Sequence, residues 1–197
     1  MRVVVDWDGT VTEVDSLSEV VRTFGNEGVY AETEDQLGRL TLNEVIAIEV
    51  ATVSAPLVEV VDWVRENVRV RSGFEDFADK HRPLVVSSGL HELIEPVLQR
   101  EGIRLDVRAN RLKPRPGPWE VRFRDADVCD VCGEPCKRAD VAGLGEFAYA
   151  GDGFSDRCVA LAASRVFACD GLATYLESKG VGFERFEDFH DIAARLS

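Results

Sequence analysis

The N-terminus limits the fold more than any other stretch. Val3-Val4-Val5 is a short β-branched run that ends in two carboxylates and a turn, Asp6-Trp7-Asp8-Gly9-Thr10. A run of this kind reads as a strand buried on both faces, as in parallel sheets covered by helices. Side chains alternate along an extended chain, so Asp6 and Asp8 leave its carboxyl end on the same side. In an open α/β sheet, ligands bind at that edge. Aspartates are common in turns, and a single Asp-x-Asp is a weak signal. A second acidic turn, Gly151-Asp152-Gly153-Phe154-Ser155-Asp156, follows another apolar run, Phe147-Ala148-Tyr149-Ala150. Two such turns behind two buried strands point to one site.

The rest of the chain is patterned accordingly. Leu17, Val20, Val21 and Phe24 recur at helical spacing and stop at Gly25. Leu42, Val45, Ile46 and Val50 form one apolar stripe; Leu57, Val60, Val61 and Val64 form another, opened by Ser54-Ala55-Pro56. No strand-like alternation interrupts residues 31–68. After Gly73 the pattern predicts helix over 74–80, strand over 83–87, helix over 91–100 closed by Gly102, and strand over 105–109. A hairpin over 111–124 follows, then strands over 147–150 and 165–168, each leading into a helix. Strands alternating with helices imply a doubly wound parallel α/β sheet. The expected division is a core of residues 1–14 and 73–197 with a helical cap, residues 15–72, inserted after the first strand. A cap there hangs over the carboxyl edge and can act as a lid.

The 197 residues suffice for a full core plus a small accessory unit. A formal net charge of -13 argues against nucleic acid as the main partner. No apolar stretch is long enough to span a bilayer, and no signal-like segment precedes the first strand, so no membrane partner and a cytoplasmic enzyme are expected. The composition leaves monomer and homodimer both open. An anionic substrate on so acidic a protein needs local compensation by a metal ion or a placed lysine.

The residues supply a mechanism. A carboxylate is ionised at neutral pH without help, so Asp6 can attack phosphorus directly. Mg²⁺ prefers oxygen ligands and few carboxylates; Asp6, Asp152 and the main-chain carbonyl of Asp8 make such a set, with Asp156 binding through water or orienting a cation. Asp8 can protonate the leaving oxygen and then activate water. Ser87 can donate to a phosphate oxygen, Ser88 and Gly89 are expected to open the next helix with their amides toward an anion, and Lys137, expected to start a helix, can hold the phosphoryl group.

These segments, in this order, resemble the haloacid dehalogenase superfamily of phosphatases, whose pattern here reads Asp6-Trp7-Asp8-Gly9-Thr10, Ser87-Ser88-Gly89, Lys137 and Gly151-Asp152 with Asp156. The resemblance implies Asp6 as nucleophile, Asp8 as acid/base, Thr10, Ser87, Ser88, Gly89 and Lys137 around the phosphate, and a Mg²⁺ cofactor held by Asp6, Asp8, Asp152 and Asp156. It implies a small phosphate monoester as substrate. The stretch from Cys129 to Lys137, and the tail from Phe167 to Ile192, resemble the methionine-salvage phosphatases that act on 2-hydroxy-3-keto-5-methylthiopentenyl-1-phosphate. Phosphoserine phosphatases are the sister group. Their substrate-amine acid falls on Asp15, whereas their carboxylate-binding arginine falls on Glu49, which would repel phosphoserine. A different class also stays open: a sensor that binds a phosphometabolite or a protein without turnover.

Cys129, Cys132 and Cys136 form a Cys-x2-Cys-x3-Cys series among five cysteines. Zinc would need a fourth ligand, from Cys158, a histidine or an aspartate. No second Cys-x2-Cys pair is present, which favours free thiols that shape a loop beside Lys137. Cys169 and Trp7 read as core, His91 as a surface or helix-capping residue, and Trp63 and Trp119 as packing or interface. His81 and His190 carry no signal.

Overall fold

A computed structural model of the chain describes residues 1–114, 116–124 and 127–196. Arg115, inside the expected hairpin, and Asp125, Ala126 and Ser197, inside the expected core, lie outside the described residues. The strands are β1 (Arg2–Val5), β2 (Leu84–Leu90), β3 (Val107–Leu112), β4 (Val121–Arg122), β5 (Phe147–Gly151), β6 (Arg165–Ala168) and β7 (Glu184–Arg185). They form one seven-stranded sheet in the order β4-β3-β2-β1-β5-β6-β7 among the described residues. Every pairing is parallel except β3 with β4, which is antiparallel. The sheet is therefore the expected α/β type with one antiparallel edge.

The β-branched run explains the position of β1. Val3 and Val5 join Val85, Ala148, Ala150 and Phe167 in the core on one face. Val4 joins Leu84, Val86, Phe147, Tyr149 and Val166 on the other. A strand with apolar side chains on both faces is stable only in the middle of a covered sheet. The chain leaves β1 for β2 on one side and later returns to β5 on the other. The carboxyl end of β1 is thus the point where strand order reverses, and a crevice opens there.

Four helices fill the segment between β1 and Gly73: α1 (Ser16–Phe24), α2 (Glu27–Glu34), α3 (Leu42–Val50) and α4 (Leu57–Asn67). Three carry the stripes seen in the sequence. Gly25 ends α1, its amide bonding to the Val21 carbonyl at 2.9 Å. A capping box between Thr41 and Glu44 starts α3. Helix α2 has no apolar stripe and buries only Thr33, which is why periodicity does not reveal it. Val20, Val21, Ile46, Val50, Val60 and Val64 from this group belong to the same buried cluster as Val5 and Trp7, so the helices share the core of the sheet.

The remaining helices are α5 (Phe74–His81), α6 (His91–Arg100), α7 (Arg157–Ala160), α8 (Asp170–Ser178) and α9 (Phe189–Arg195). Two boundaries differ from the sequence reading. Strand β2 runs on to Leu90 and not to Ser87, and the strand expected over 105–109 lies at Val107–Leu112. Both follow from one irregularity: Val86 pairs with Arg108 and Leu90 with Asn110, so β2 bulges through Ser87-Ser88-Gly89. Trp119 ties the β3–β4 connection to the inserted helices, its amide bonding to the Val53 carbonyl at 2.8 Å and its indole to the Ala55 carbonyl at 3.0 Å.

Helix α9 docks through Phe189, fully buried, whose ring lies 4.8 Å from Phe74 and 5.0 Å from Phe77. Truncating it leaves a cavity between α5 and α9. Phe189→Ala is expected to cost about 3–5 kcal/mol in urea unfolding; a cost below about 1 kcal/mol would mean that α9 contributes little to the cooperative core.

Candidate active site

Alternation along the chain continues past β1. Trp7 shares the parity of Val5 and is fully buried in the first cluster, as expected for core. Asp6 shares the parity of Val4 and turns to the other face, where β5 presents Tyr149. Asp6 is 3% exposed, Lys137 1% and Asp156 0%. The Lys137 ammonium donates to Asp6 Oδ1 and, at 2.7 Å, to Asp156 Oδ1. Tyr149 donates its hydroxyl to Asp156 Oδ1 at 2.6 Å. The amides of Asp152 and Gly153 donate to Asp156 Oδ2, each at 2.9 Å. Asp156 thereby fixes both the lysine and the turn that carries Asp152.

Carboxylate oxygens of Asp6, Asp152 and Asp156 lie within 4.8 Å of one another. Thr10 donates to Asp152 Oδ1 at 2.8 Å. Gly9 has φ +73°, and a Cβ there would stand 2.4 Å from Asp152 Oδ2, so only glycine lets the two turns approach. Arg71 holds the first turn from outside: its guanidinium donates to the carbonyls of Gly9 at 2.7 Å, Thr10 at 3.0 Å and Glu187 at 2.8 Å.

The Asp8 carboxylate is not in the metal-competent group. Its Oδ1 accepts from the Ser16 amide at 2.9 Å and from the Ser16 hydroxyl. Its Oδ2 accepts from Ser87 at 3.4 Å. Ser87 in turn accepts the Gly89 amide at 2.9 Å. A Cβ at Gly89 would lie 2.6 Å from Asp8 Oδ2. Ser88 and Gly89 therefore do not open a helix: they belong to the bulged end of β2, and α6 begins at His91. Nor does Lys137 start an α-helix; it sits in a turn before a single 3₁₀ turn, Ala139–Val141. His91, expected at the surface or as a cap neighbour, is 9% exposed and bonded through Nδ1 to Glu95 Oε1 at 2.8 Å. Cys169, expected in the core, is half-buried.

A cavity of about 240 Å³ opens over these residues. Asp6, Asp8, Asp152, Ser88 and Gly89 line it from the sheet edge. The inserted segment contributes Asp15, Leu17, Glu34, Leu37, Leu42, Val45, Ile46 and Glu49. No lysine, arginine or histidine among the described residues lines it. Asp15 caps α1 through the Ser18 amide at 2.8 Å. Glu49 is 4% exposed and accepts a hydrogen bond from Thr33 at 2.7 Å. Sequence reasoning did not single out Tyr149, Ser16 or Arg71. Nor did it find Asn110, which donates to the Ser88 carbonyl at 2.8 Å. None has a local motif; each is placed by the fold.

Crowding of acids shifts their titration. Burial, then the Asp156 charge, pushes Asp6 up to about 7 despite Lys137. Burial, then the charges of Asp15 and Asp6, pushes Asp8 up to about 8. Burial, then Asp6 and Asp156, pushes Asp152 up to about 9. Burial, with Glu34 and Asp15 nearby, pushes Glu49 up to about 7. Burial would raise Asp156 too, but the Lys137 charge and the Gly153 amide hold it below the usual range. Burial opposes the Lys137 charge, yet Asp156 and Asp6 hold its pKa above normal. A hard divalent cation fits the three-carboxylate group, because it would relieve the repulsion that raises Asp6 and Asp152.

A buried carboxylate at a sheet switch point, a buried lysine and a compact acidic group sit together in a doubly wound fold. The haloacid dehalogenase-like hydrolase family matches residues 3–161, and the chain belongs to that family. Among curated relatives, it is 25% identical over 214 residues to a 2-hydroxy-3-keto-5-methylthiopentenyl-1-phosphate phosphatase of Bacillus thuringiensis subsp. konkukian, covering 100% of this chain and 95% of that protein. The corresponding enzyme of Bacillus cereus is 24% identical over 213 residues, with the same coverage. A solved phosphoserine phosphatase, a phospho-aspartyl intermediate analogue, superposes with a TM-score of 0.74 at 17% identity, over 98% of this chain and 97% of that one. A second, from T. onnurineus, gives 0.71 at 16% identity over 97% and 91%. These structural likenesses establish the fold. The matched family makes this chain a hydrolase.

The raised carboxyls predict how stability responds to pH. Asp6, Asp8 and Asp152 titrate higher in the fold than in the unfolded chain, near 3.8. Their contribution is therefore complete below that value and lost as pH rises through about 7 to about 9. Protein dialysed free of magnesium and calcium is expected to show a falling unfolding midpoint from about pH 6 to about pH 9, with a millimolar divalent cation reversing most of the fall. A midpoint flat over that range, with or without cation, would show that these groups are not raised.

Proposed function

We propose that this chain is a Mg²⁺-dependent phosphomonoesterase that works through an aspartyl-phosphate on Asp6. The observation that carries the reading is the buried Asp6–Lys137–Asp156 triad beside Asp152 at the carboxyl end of β1. Asp6, Asp152 and the main-chain carbonyl of Asp8 would hold the ion, with Asp156 steadying Asp152 and Lys137. Bound there, Mg²⁺ would return the raised carboxyls to their charged form and neutralise the phosphate.

Asp6 attacks phosphorus; the bond from phosphorus to the ester oxygen breaks as the acyl-phosphate bond forms. Asp8, held up at about 8, carries a proton at neutral pH and gives it to the leaving oxygen. It then takes a proton from water, which attacks phosphorus, releases inorganic phosphate and restores the Asp6 carboxylate. Lys137 keeps Asp6 oriented and faces the charge that spreads over the phosphoryl oxygens. Ser87, Ser88, Gly89 and Thr10 frame the phosphate position. Residues 15–72 serve as a cap that excludes water and chooses the leaving group.

The cavity supports a substrate without a carboxylate. Glu34, Glu49 and Asp15 line it, no cation among the described residues does, and Leu37, Leu42, Val45 and Ile46 give it an apolar wall. The substrate in the Bacillus relatives' name has keto, hydroxy and methylthio groups and no acid besides the phosphate. A methylthio end suits the leucine and valine wall, and a carbonyl or hydroxyl suits a Glu49 that retains its proton near neutrality. Phosphoserine, the alternative suggested by fold likeness, would bring its carboxylate against three acids. A non-catalytic sensor would not need the complete set of Asp6, Asp8, Lys137 and Asp152.

A panel of phosphorylated metabolites with Mg²⁺ tests the reading. Turnover is expected with neutral enol or sugar-like monoesters carrying an apolar tail, and little with phosphoserine. Asp6→Asn should abolish activity, and Lys137→Ala should lower kcat by about 10²–10³, comparable to loss of an oxyanion-hole donor. Activity surviving in Asp6→Asn would overturn the covalent route; no turnover of any monoester would favour the sensor.

A further inference from the structure

A second cluster of ligating side chains lies beside the cleft. Cys129, Cys132 and Cys136 come from the loop after β4, and Cys158 comes from α7, just past Asp156. Their sulfurs all lie within 4.8 Å of one another, and the Cys129 and Cys158 sulfurs are 3.9 Å apart. A tetrahedral ion with bonds of about 2.3 Å to sulfur sets sulfur–sulfur edges of about 3.8 Å. All of these cysteines are free thiols. We propose that Cys129, Cys132, Cys136 and Cys158 bind a structural Zn²⁺ ion, independently of the carboxylate site.

Three observations converge on it. The first is the backbone turn of residues 129–133. Gly133 adopts φ +79° and its amide bonds to the Cys129 carbonyl at 2.8 Å, which closes the turn. The Val131 amide donates to the Cys129 sulfur at 3.5 Å, the arrangement that steadies a thiolate. The second is the ligand set. Four sulfurs are soft and select zinc over magnesium, and four protein ligands leave no open position, the mark of a structural and not a catalytic ion. The third is the loop itself. It exposes Val128 and Val131, at 64% and 58%, so burial of apolar side chains does not order it.

Fastening this loop has consequences at both ends. Cys136 directly precedes Lys137, and Cys158 is two residues past Asp156, so the ion would pin the two partners of the 2.7 Å Lys137–Asp156 pair to each other from behind. Glu134, between the ligands, accepts the Leu42 amide at 2.9 Å at the start of α3. The site thus also reaches the inserted helices. Binding would release the thiol protons to solvent, with no redox change.

Metal analysis of full-length protein, purified reduced and without chelator, tests this. About one zinc per chain is expected. Cobalt added after zinc removal should give the intense visible and sulfur-to-metal charge-transfer bands of a tetrahedral thiolate site. Cys132→Ser, at an exposed position, should lose tight zinc binding in competition with a chromophoric chelator. The cobalt spectrum needs no variant, so misfolding of a cysteine mutant cannot obscure the result. Reduced wild-type protein that takes up neither zinc nor cobalt would overturn the proposal. So would four thiols equally reactive with and without zinc, or a Cys129–Cys158 disulfide in the isolated protein. None of these readouts uses turnover, so they stand apart from the phosphatase assay.

Discussion

One buried ammonium organises this molecule. Lys137 is almost wholly enclosed and bridges Asp6, at the end of the central strand, to Asp156, in the turn after β5. Isolated charges at this depth would be prohibitively costly, and each exists only because the others do. Removing one partner of such a set leaves an uncompensated charge, which typically costs about 3–5 kcal/mol. The cluster is still net acidic, because Asp152 and Asp8 add to it. Burial first, and that acidic excess second, push Asp6, Asp8 and Asp152 upward, whereas Lys137 holds Asp156 down. The lysine saturates one carboxylate; the rest of the site is built short of positive charge.

Close approach of three backbone segments makes that shortage possible. Gly9 admits Asp152, and Gly89 admits Asp8, at distances that any side chain would block. The bulge in β2 brings Ser87 and Gly89 under Asp8 without ending the strand. Asp8 and Asp6 share one parity but point into different bonding environments. Asp6 meets a cation, and Asp8 meets hydroxyls and an amide that do not cancel its desolvation. In the proposed mechanism, two carboxylates two residues apart would thus take different roles, Asp6 as nucleophile and Asp8 as proton carrier.

Much of this was legible in the chain, for identifiable reasons. The valine run, the leucine and valine stripes of α1, α3 and α4, and strand β6 at residues 165–168 announce themselves by periodicity, which is local. The acidic residues at strand ends follow from alternation and topology. What stayed hidden depends on contacts between distant segments. The bulge that carries β2 past Ser87 is set by pairing with β3, so Ser88 and Gly89 read as a helix start. Tyr149 looks like any core aromatic until the fold places it against Asp156. Helix α2 lacks a stripe, because it buries only Thr33. The identity of a fourth sulfur near Cys129, Cys132 and Cys136 cannot be read from spacing, since Cys158 follows the whole of β5.

The same deficit of positive charge bears on selectivity. A chain with net charge -13 whose cavity is lined by Asp15, Glu34 and Glu49 disfavours anions there, and under the proposed function the offsetting charge would come from the divalent cation and Lys137. A dianionic phosphate can reach that point because the compensation is concentrated there. A second acid on the substrate would have to sit among the inserted helices, where nothing offsets it and where a raised Glu49 would be forced toward or away from its proton. Rejection of carboxylated substrates would then need no dedicated steric block; it would follow from acids lining the cavity where a substrate carboxylate needs a cation. What remains for recognition is the apolar wall of Leu37, Leu42, Val45 and Ile46. An apolar contact of one methyl-sized group discriminates by only about 1–3 kcal/mol. On the proposed reading, selectivity would therefore rest more on electrostatic exclusion than on shape.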